Sequence, residues 1–206
     1  MEGDEHYGIE RGVASLMALV SEALAGATDT LLSGDRAAAQ LIIANDELID
    51  DLSASLETSV WEQLETGRAQ GAELRYLVGI LHVLPELERS ADLAEHIAQR
   101  AALGLGSEMS PASRGIVQRM AEVGLEMWRT VAEAYRDRSS RSVVLDEADE
   151  ELDILHDRLN DEVAAGTMAP KAAAQVTLLA RFYERLGDHA VNLAKRIGDF
   201  SAFVQP

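Results

Sequence analysis

Eight carboxylates stand out by their spacing. Asp46 and Asp50, Glu88 and Asp92, Asp149 and Asp153, and Glu184 and Asp188 each lie four residues apart. On an α-helix this spacing stacks both side chains on one face, a turn apart. Like charges so placed destabilise a bare helix by about 0.2–0.5 kcal/mol, so a basic neighbour (Arg89 or Arg185) or a cation should offset them. A donor set made only of oxygen suits Mg²⁺, Mn²⁺, Ca²⁺ or iron. The bland alternative is a solvated acidic face, because 36 acidic residues produce such pairs by chance; Glu47/Asp51 is one. Recurrence favours the metal reading. Asn45-Asp46-Glu47-Leu48-Ile49-Asp50-Asp51-Leu52 is echoed by Ala148-Asp149-Glu150-Glu151-Leu152-Asp153-Ile154-Leu155, and Glu88-Arg89-Ser90-Ala91-Asp92-Leu93-Ala94 by Glu184-Arg185-Leu186-Gly187-Asp188-His189-Ala190, in the same order.

Little else in the chain could do chemistry. There is no cysteine, which removes disulfides, thiolate ligands and thiol nucleophiles. His189 adjoins Asp188 and could add a nitrogen ligand. Ferritin-like di-metal sites need Glu-x-x-His, and the nearest approach here is Asp153-x-x-His156. Neither a phosphate-binding Gly-x-x-x-x-Gly-Lys-Ser/Thr loop nor a Gly-x-Ser-x-Gly elbow occurs. Trp61 and Trp128 read as packing anchors, and enzymatic function has no positive support. The balance of 18 Lys+Arg against 36 Asp+Glu, a net charge of −18, repels phosphate backbones and argues against nucleic-acid binding.

The elements that must carry these acids are helices. Leu41, Asn45, Leu48, Leu52, Leu56 and Ser59 step by three or four residues and read as one buried stripe. Leu179, Phe182, Leu186, Ala190, Leu193 and Ile197 read as another. On the second of these helices Glu184 and Asp188 fall opposite the stripe and are expected to face outward. Breaks at Ser33-Gly34-Asp35, Thr66 to Gly71, Gly104 to Pro111, Arg138 to Arg141 and Gly166 to Pro170 divide the chain into six helices of about 25 to 32 residues. Asp35 and Ser110 can cap, and Pro111 and Pro170 can open, the helices that follow. Pro85 should kink the third helix without ending it. With 47% hydrophobic but only 4% aromatic residues, the core must be aliphatic. Uncharged runs reach only about ten residues, half of what a membrane span requires, so a soluble chain without membrane insertion is expected. The expected architecture is all-α, two tandem antiparallel three-helix bundles spanning residues 1–106 and 107–206.

Two such bundles, each with Asp-x-x-x-Asp on its second helix and Glu-Arg-x-x-Asp on its third, resemble the PhoU family of phosphate-transport regulators. The resemblance runs from about Ile9 to Phe200 and is strongest over Glu184 to Ala194. It implies a cytoplasmic, non-enzymatic homodimer, peripheral at the inner membrane through its partners. Those partners would be the phosphate ABC transporter and the phosphate-sensing histidine kinase, with uptake and the starvation response held down when phosphate is plentiful. It further implies metal clusters on Asp46, Asp50, Glu88, Asp92, Asp149, Asp153, Glu184 and Asp188. The first copy departs from the family's Glu-Arg-Ile-Gly-Asp, and His96 stands where the second copy has Asn192. Arg136 to Ser142 replaces a usually acidic stretch and reads as a mobile basic loop. Two alternatives remain open: a carboxylate-bridged metal protein or enzyme, and an accessory to another ion or phosphate carrier.

Overall fold

The structure, a computed structural model, describes residues 2–139 and 141–201. It contains six long helices: α1 (Glu2–Ser33), α2 (Arg36–Glu65), α3 (Gly71–Ala102), α4 (Pro111–Asp137), α5 (Ser142–Ala164) and α6 (Pro170–Ser201). A short 3-10 turn, Leu105–Ser107, precedes α4. Among the described residues there is no strand. The sequence breaks act where expected. Asp35 caps α2 by accepting from the Ala38 amide at 3.0 Å, Ser110 caps α4 by accepting from Ser113 N, and Pro170 opens α6. Pro85 lies inside α3, which continues through it. At 23 residues, α5 is shorter than the expected range.

Within each half the three helices pack on one another, α1–α3 in the first and α4–α6 in the second. The halves also pack together, α3 on α6 and α1 on α4, so the buried side chains form one continuous core. The centre is therefore a four-helix arrangement of α1, α3, α4 and α6, with α2 and α5 laid on its flanks. Hydroxyl pairs cross between the halves inside it. Tyr183 on α6 meets Thr28 on α1 at 2.7 Å, and since the Thr28 proton already goes to Leu24 O, Tyr183 is the donor. Tyr76 on α3 meets Tyr135 on α4 at 2.8 Å. Each pair satisfies polar groups that would be costly to bury alone. Gly106 permits a further approach: a methyl there would stand 1.9 Å from the Leu31 carbonyl oxygen, inside backbone.

Over Tyr7–Ser33, α1 is long and apolar enough to cross a membrane by length and composition, even though no long uncharged run marks it. Its apolar stripe of Val13, Leu16, Val20, Leu24 and Leu31 is instead fully buried in the protein core.

Two sequence expectations fail in α2. Leu41 and Leu48 are 67% and 61% exposed; the buried line is Ala39, Ile49, Ser53, Leu56 and Val60. Extended backwards from Ile49 at helical spacing, that line runs through Asp46 and Ile42, so the true stripe contains a carboxylate that apolar counting passes over. The tryptophans also part company. Trp128 is completely buried among the α4 contacts, whereas Trp61 is half exposed, its indole directed at Glu57 Oε1 at 3.4 Å. Trp128→Ala should therefore cost about 3–5 kcal/mol and Trp61→Ala less than about 1 kcal/mol. Urea unfolding of the two variants checks the contrast.

Candidate metal centres and the seam between the halves

The buried line of α5 repeats that of α2. Leu145, Leu152, Leu155 and Leu159 face the core, and Asp149 lies between the first two as Asp46 lies between Ile42 and Ile49. The first acid of each Asp-x-x-x-Asp therefore occupies a core-facing position and is half-buried, while Asp50 and Asp153, a turn further on, are exposed. Opposite Asp149, α6 carries glycine. A methyl at Gly187 would stand 2.9 Å from Asp149 Oδ1 and 2.6 Å from Leu152 Cδ1, so the missing side chain makes room for the carboxylate. The first half has Ala91 at that place, fully packed.

Each half-buried acid is pressed by the others of its half. Burial, then repulsion from Asp50, Glu95, Asp92 and Glu88, pushes the Asp46 carboxyl from 3.8 up to about 6. Burial, then Asp188, Asp153, Glu184 and Asp146, does the same to Asp149. Glu88 and Glu184 are raised as well, again by burial first and then by the neighbouring acids. All eight sequence-selected carboxylates thus fall into two clusters, one between α2 and α3, the other between α5 and α6. Glu95 and Asp146 belong to them too; Glu95 has no acid four residues away, and Asp146, four before Glu150, lies outside the repeated motifs.

One expectation about orientation is corrected. Glu184 is turned inward, with its side chain only 14% exposed. One oxygen pairs with Arg181; the other, Oε2, is buried without a hydrogen-bond partner. Packing of α5 against α6 covers it, which a helical wheel of α6 alone does not reveal. Among the described residues no three acidic or histidine side chains already converge on one point. The donor chemistry nonetheless fits a hard cation: oxygen atoms only, partly desolvated, mutually repelling, with one orphaned carboxylate oxygen.

His189 takes no part in the acidic cluster. Its Nδ1 meets Ser90 Oγ on α3 at 2.9 Å. Because Ser90 gives its own proton to Glu86 O, the imidazole donates from Nδ1, and Nε2 faces Glu86 Oε2 at 3.8 Å. Ser90 is fully buried, so this Ser–His–Glu arrangement is a packing contact with no accessible nucleophile. Further along, Arg196 on α6 reaches Glu86 at 3.8 Å, and at the other end Arg100 and His96 on α3 stack on Phe182 of α6. As residue numbers rise on α3 their partners fall on α6, so the two helices run antiparallel along this seam.

The basic stretch after α4 is pinned as well. Arg138 pairs with Glu10 at 2.8 Å and lies over the Tyr76 ring, and Arg141 pairs with Glu133 and Asp137, each at 2.6 Å.

The family model of the PhoU domain matches the chain twice, over residues 13–101 and 117–197. The chain belongs to the PhoU family. It is 27% identical over 203 residues to a Rhizobium meliloti protein named phosphate-specific transport system accessory protein PhoU homolog, covering 96% of this chain and 86% of that one. It is 30% identical over 192 residues to PhoU homolog 2 of Mycobacterium tuberculosis, covering 90% and 89%. The crystal structure of PhoU from Pseudomonas aeruginosa superposes with a TM-score of 0.88 at 21% identity, covering 97% of this chain and 98% of that one, which establishes the same fold. By family the chain is thus an accessory protein of the phosphate transport system.

A raised aspartate makes stability depend on pH with a definite sign. Between about pH 4 and pH 6 the folded chain holds more protons than the unfolded one at Asp46 and Asp149, so their contribution falls as pH rises through that window and is wholly unfavourable above it. Asp46→Asn and Asp149→Asn should each raise stability at pH 7 by about 1 kcal/mol, after allowance for solvent screening, and change it little at pH 4. Urea unfolding of both variants at the two pH values measures this.

Proposed function

We propose that this protein is a negative regulator of phosphate uptake and of the phosphate-starvation response. It works by docking: a rigid six-helix body binds the phosphate ABC transporter and the phosphate-sensing histidine kinase from the cytoplasmic side. It carries no catalytic step, acts as a homodimer, and is peripheral at the inner membrane through these partners. The two family matches, each spanning one half with its acidic cluster, carry this reading. The division into units 1–106 and 107–206 belongs to the same proposal, each unit supplying one cluster.

The second part of the proposal concerns metal ions. Asp46, Asp50, Glu88 and Asp92 in the first half, and Asp149, Asp153, Glu184 and Asp188 in the second, would hold divalent or iron ions. When bound, such ions supply positive charge that relieves the repulsion among the carboxylates. The second cluster has the stronger support, from the orphaned Glu184 oxygen and the space over Gly187. The favourable charge term would couple metal loading to stability at neutral pH.

Deleting the gene should leave the starvation response switched on in phosphate-rich medium, read with a reporter of a phosphate-starvation promoter; a normally repressed reporter would overturn the regulatory reading. For the metal, elemental analysis of protein purified from native cells should find Mg, Mn, Ca or Fe in stoichiometric amount, lost in a Glu184→Gln, Asp188→Asn variant. Equal metal content in the variant would remove these residues as ligands.

A further inference from the structure

The flanking helices α2 and α5 each pack on the two other helices of their own half, but their outer faces differ. On α2, Ala37, Leu41, Ala44 and Leu48 are all exposed, and their spacing of four, three and four residues puts them on one stripe. The two leucines are 67% and 61% exposed, and no residue from Ala37 to Asn45 is charged. Beside the stripe a groove of about 330 Å³ is lined by Gln40, Ile43, Gln99, Ala102 and Leu103, again without a charge. Leu103 is 74% exposed. With Asp149 set on Asp46, the same stripe of α5 reads Val144, Glu147, Glu151 and Ile154. Acids stand there in place of Ala44 and Leu48, so the repeat supplies its own contrast.

We propose that two copies of this chain meet here, α2 lying antiparallel on α2 about a twofold axis that passes between Leu41 and Ala44. The inference rests on the homodimer proposed above and names its interface. Two molecules of charge −18 repel, so they can join only where acids are absent from the contact. The stripe is also complementary to itself. In the antiparallel register Leu41 falls on Ala44 of the second copy and Leu48 on its Ala37, each leucine filling the space that an alanine leaves. A parallel pairing would set leucine against leucine and alanine against alanine. The charges at the ends agree with the same register. Asp51, next on the stripe, falls at the amino-terminal turn of the other α2, beside Gly34 and Arg36, where the helix dipole and the guanidinium both favour a carboxylate. Among the described residues no acid pairs with Arg36, whose guanidinium lies against Gly104, and Asp35 is turned onto its own Ala38 amide. Glu47 falls across from Gln40, so no acid on the seam meets another acid.

Sedimentation equilibrium of the full chain should find a dimer. Leu41→Glu and, independently, Leu48→Glu should each raise its dissociation constant at least about a hundredfold, because a substitution enters an isologous contact twice. Both side chains are exposed, so thermal unfolding of the variants should stay cooperative. Because the chain has no cysteine, Ala44→Cys offers a single thiol beside the axis, and mild oxidation should join two chains through it. Thr177→Cys, exposed on α6, should stay unlinked under the same treatment. A wild-type dimer whose dissociation constant neither glutamate variant moves, with no disulfide at Ala44→Cys, overturns the α2 interface and leaves the homodimer standing. A wild type that stays monomeric overturns the homodimer and this interface with it.

Discussion

The antiparallel contact of α3 with α6 is the constraint on which the molecule depends. Each of these helices serves two neighbours at once. Inward and sideways it packs into the four-helix centre, and on its other flank it meets the α2 or α5 helix that brings an Asp-x-x-x-Asp motif. Fixing α3 against α6 through Ser90, His189, Glu86 and Arg196 therefore fixes the halves relative to each other and the platforms on which both acidic clusters are built. The hydroxyl pairs Thr28–Tyr183 and Tyr76–Tyr135 hold the remaining faces of the centre in place.

Against that rigid frame the clusters are local sites of electrostatic tension. Asp46 and Asp149 sit where a leucine or isoleucine would stabilise the fold more, flanked along their own helices by Ile42 and Ile49, and by Leu145 and Leu152. A native chain that keeps carboxylates in such a line departs from the consistency expected of a sequence optimised for folding alone, and departures of this kind concentrate at functional positions. The second cluster is the more developed. Gly187 opens space for Asp149, and Glu184 is drawn inward, whereas the first half fills the corresponding place with Ala91.

Much of this was legible in the residues. Proline, glycine and capping side chains mark the helix ends because their effects are local, and Asp35, Ser110 and Pro170 act where their neighbours say they should. The duplicated motifs likewise identified the acids that share a field. What escaped were features set by packing between helices. Apolar spacing alone misplaces the phase of the α2 stripe, because a carboxylate occupies one of its core positions and leaves Leu41 and Leu48 outside. The burial of Glu184 depends on α5, the fate of each tryptophan on which helix lies over it, and the anchoring of Arg138 on Glu10 and Tyr76 far away in the chain. Periodicity along one helix contains none of that information.

Arg100 and Arg196 stand at the same distance after the Glu-Arg motif in the two halves, and Phe182 and Glu86 at the same distance before it. One arginine lies over the aromatic ring; its counterpart reaches the carboxylate. Two identical subunits related by a twofold axis would have to put the same residue beneath both guanidinium groups. Covalent fusion lifts that obligation, so the two ends of the seam have been free to acquire different chemistry, greasy at one and ionic at the other, giving a molecule assembled from like parts a distinguishable head and tail.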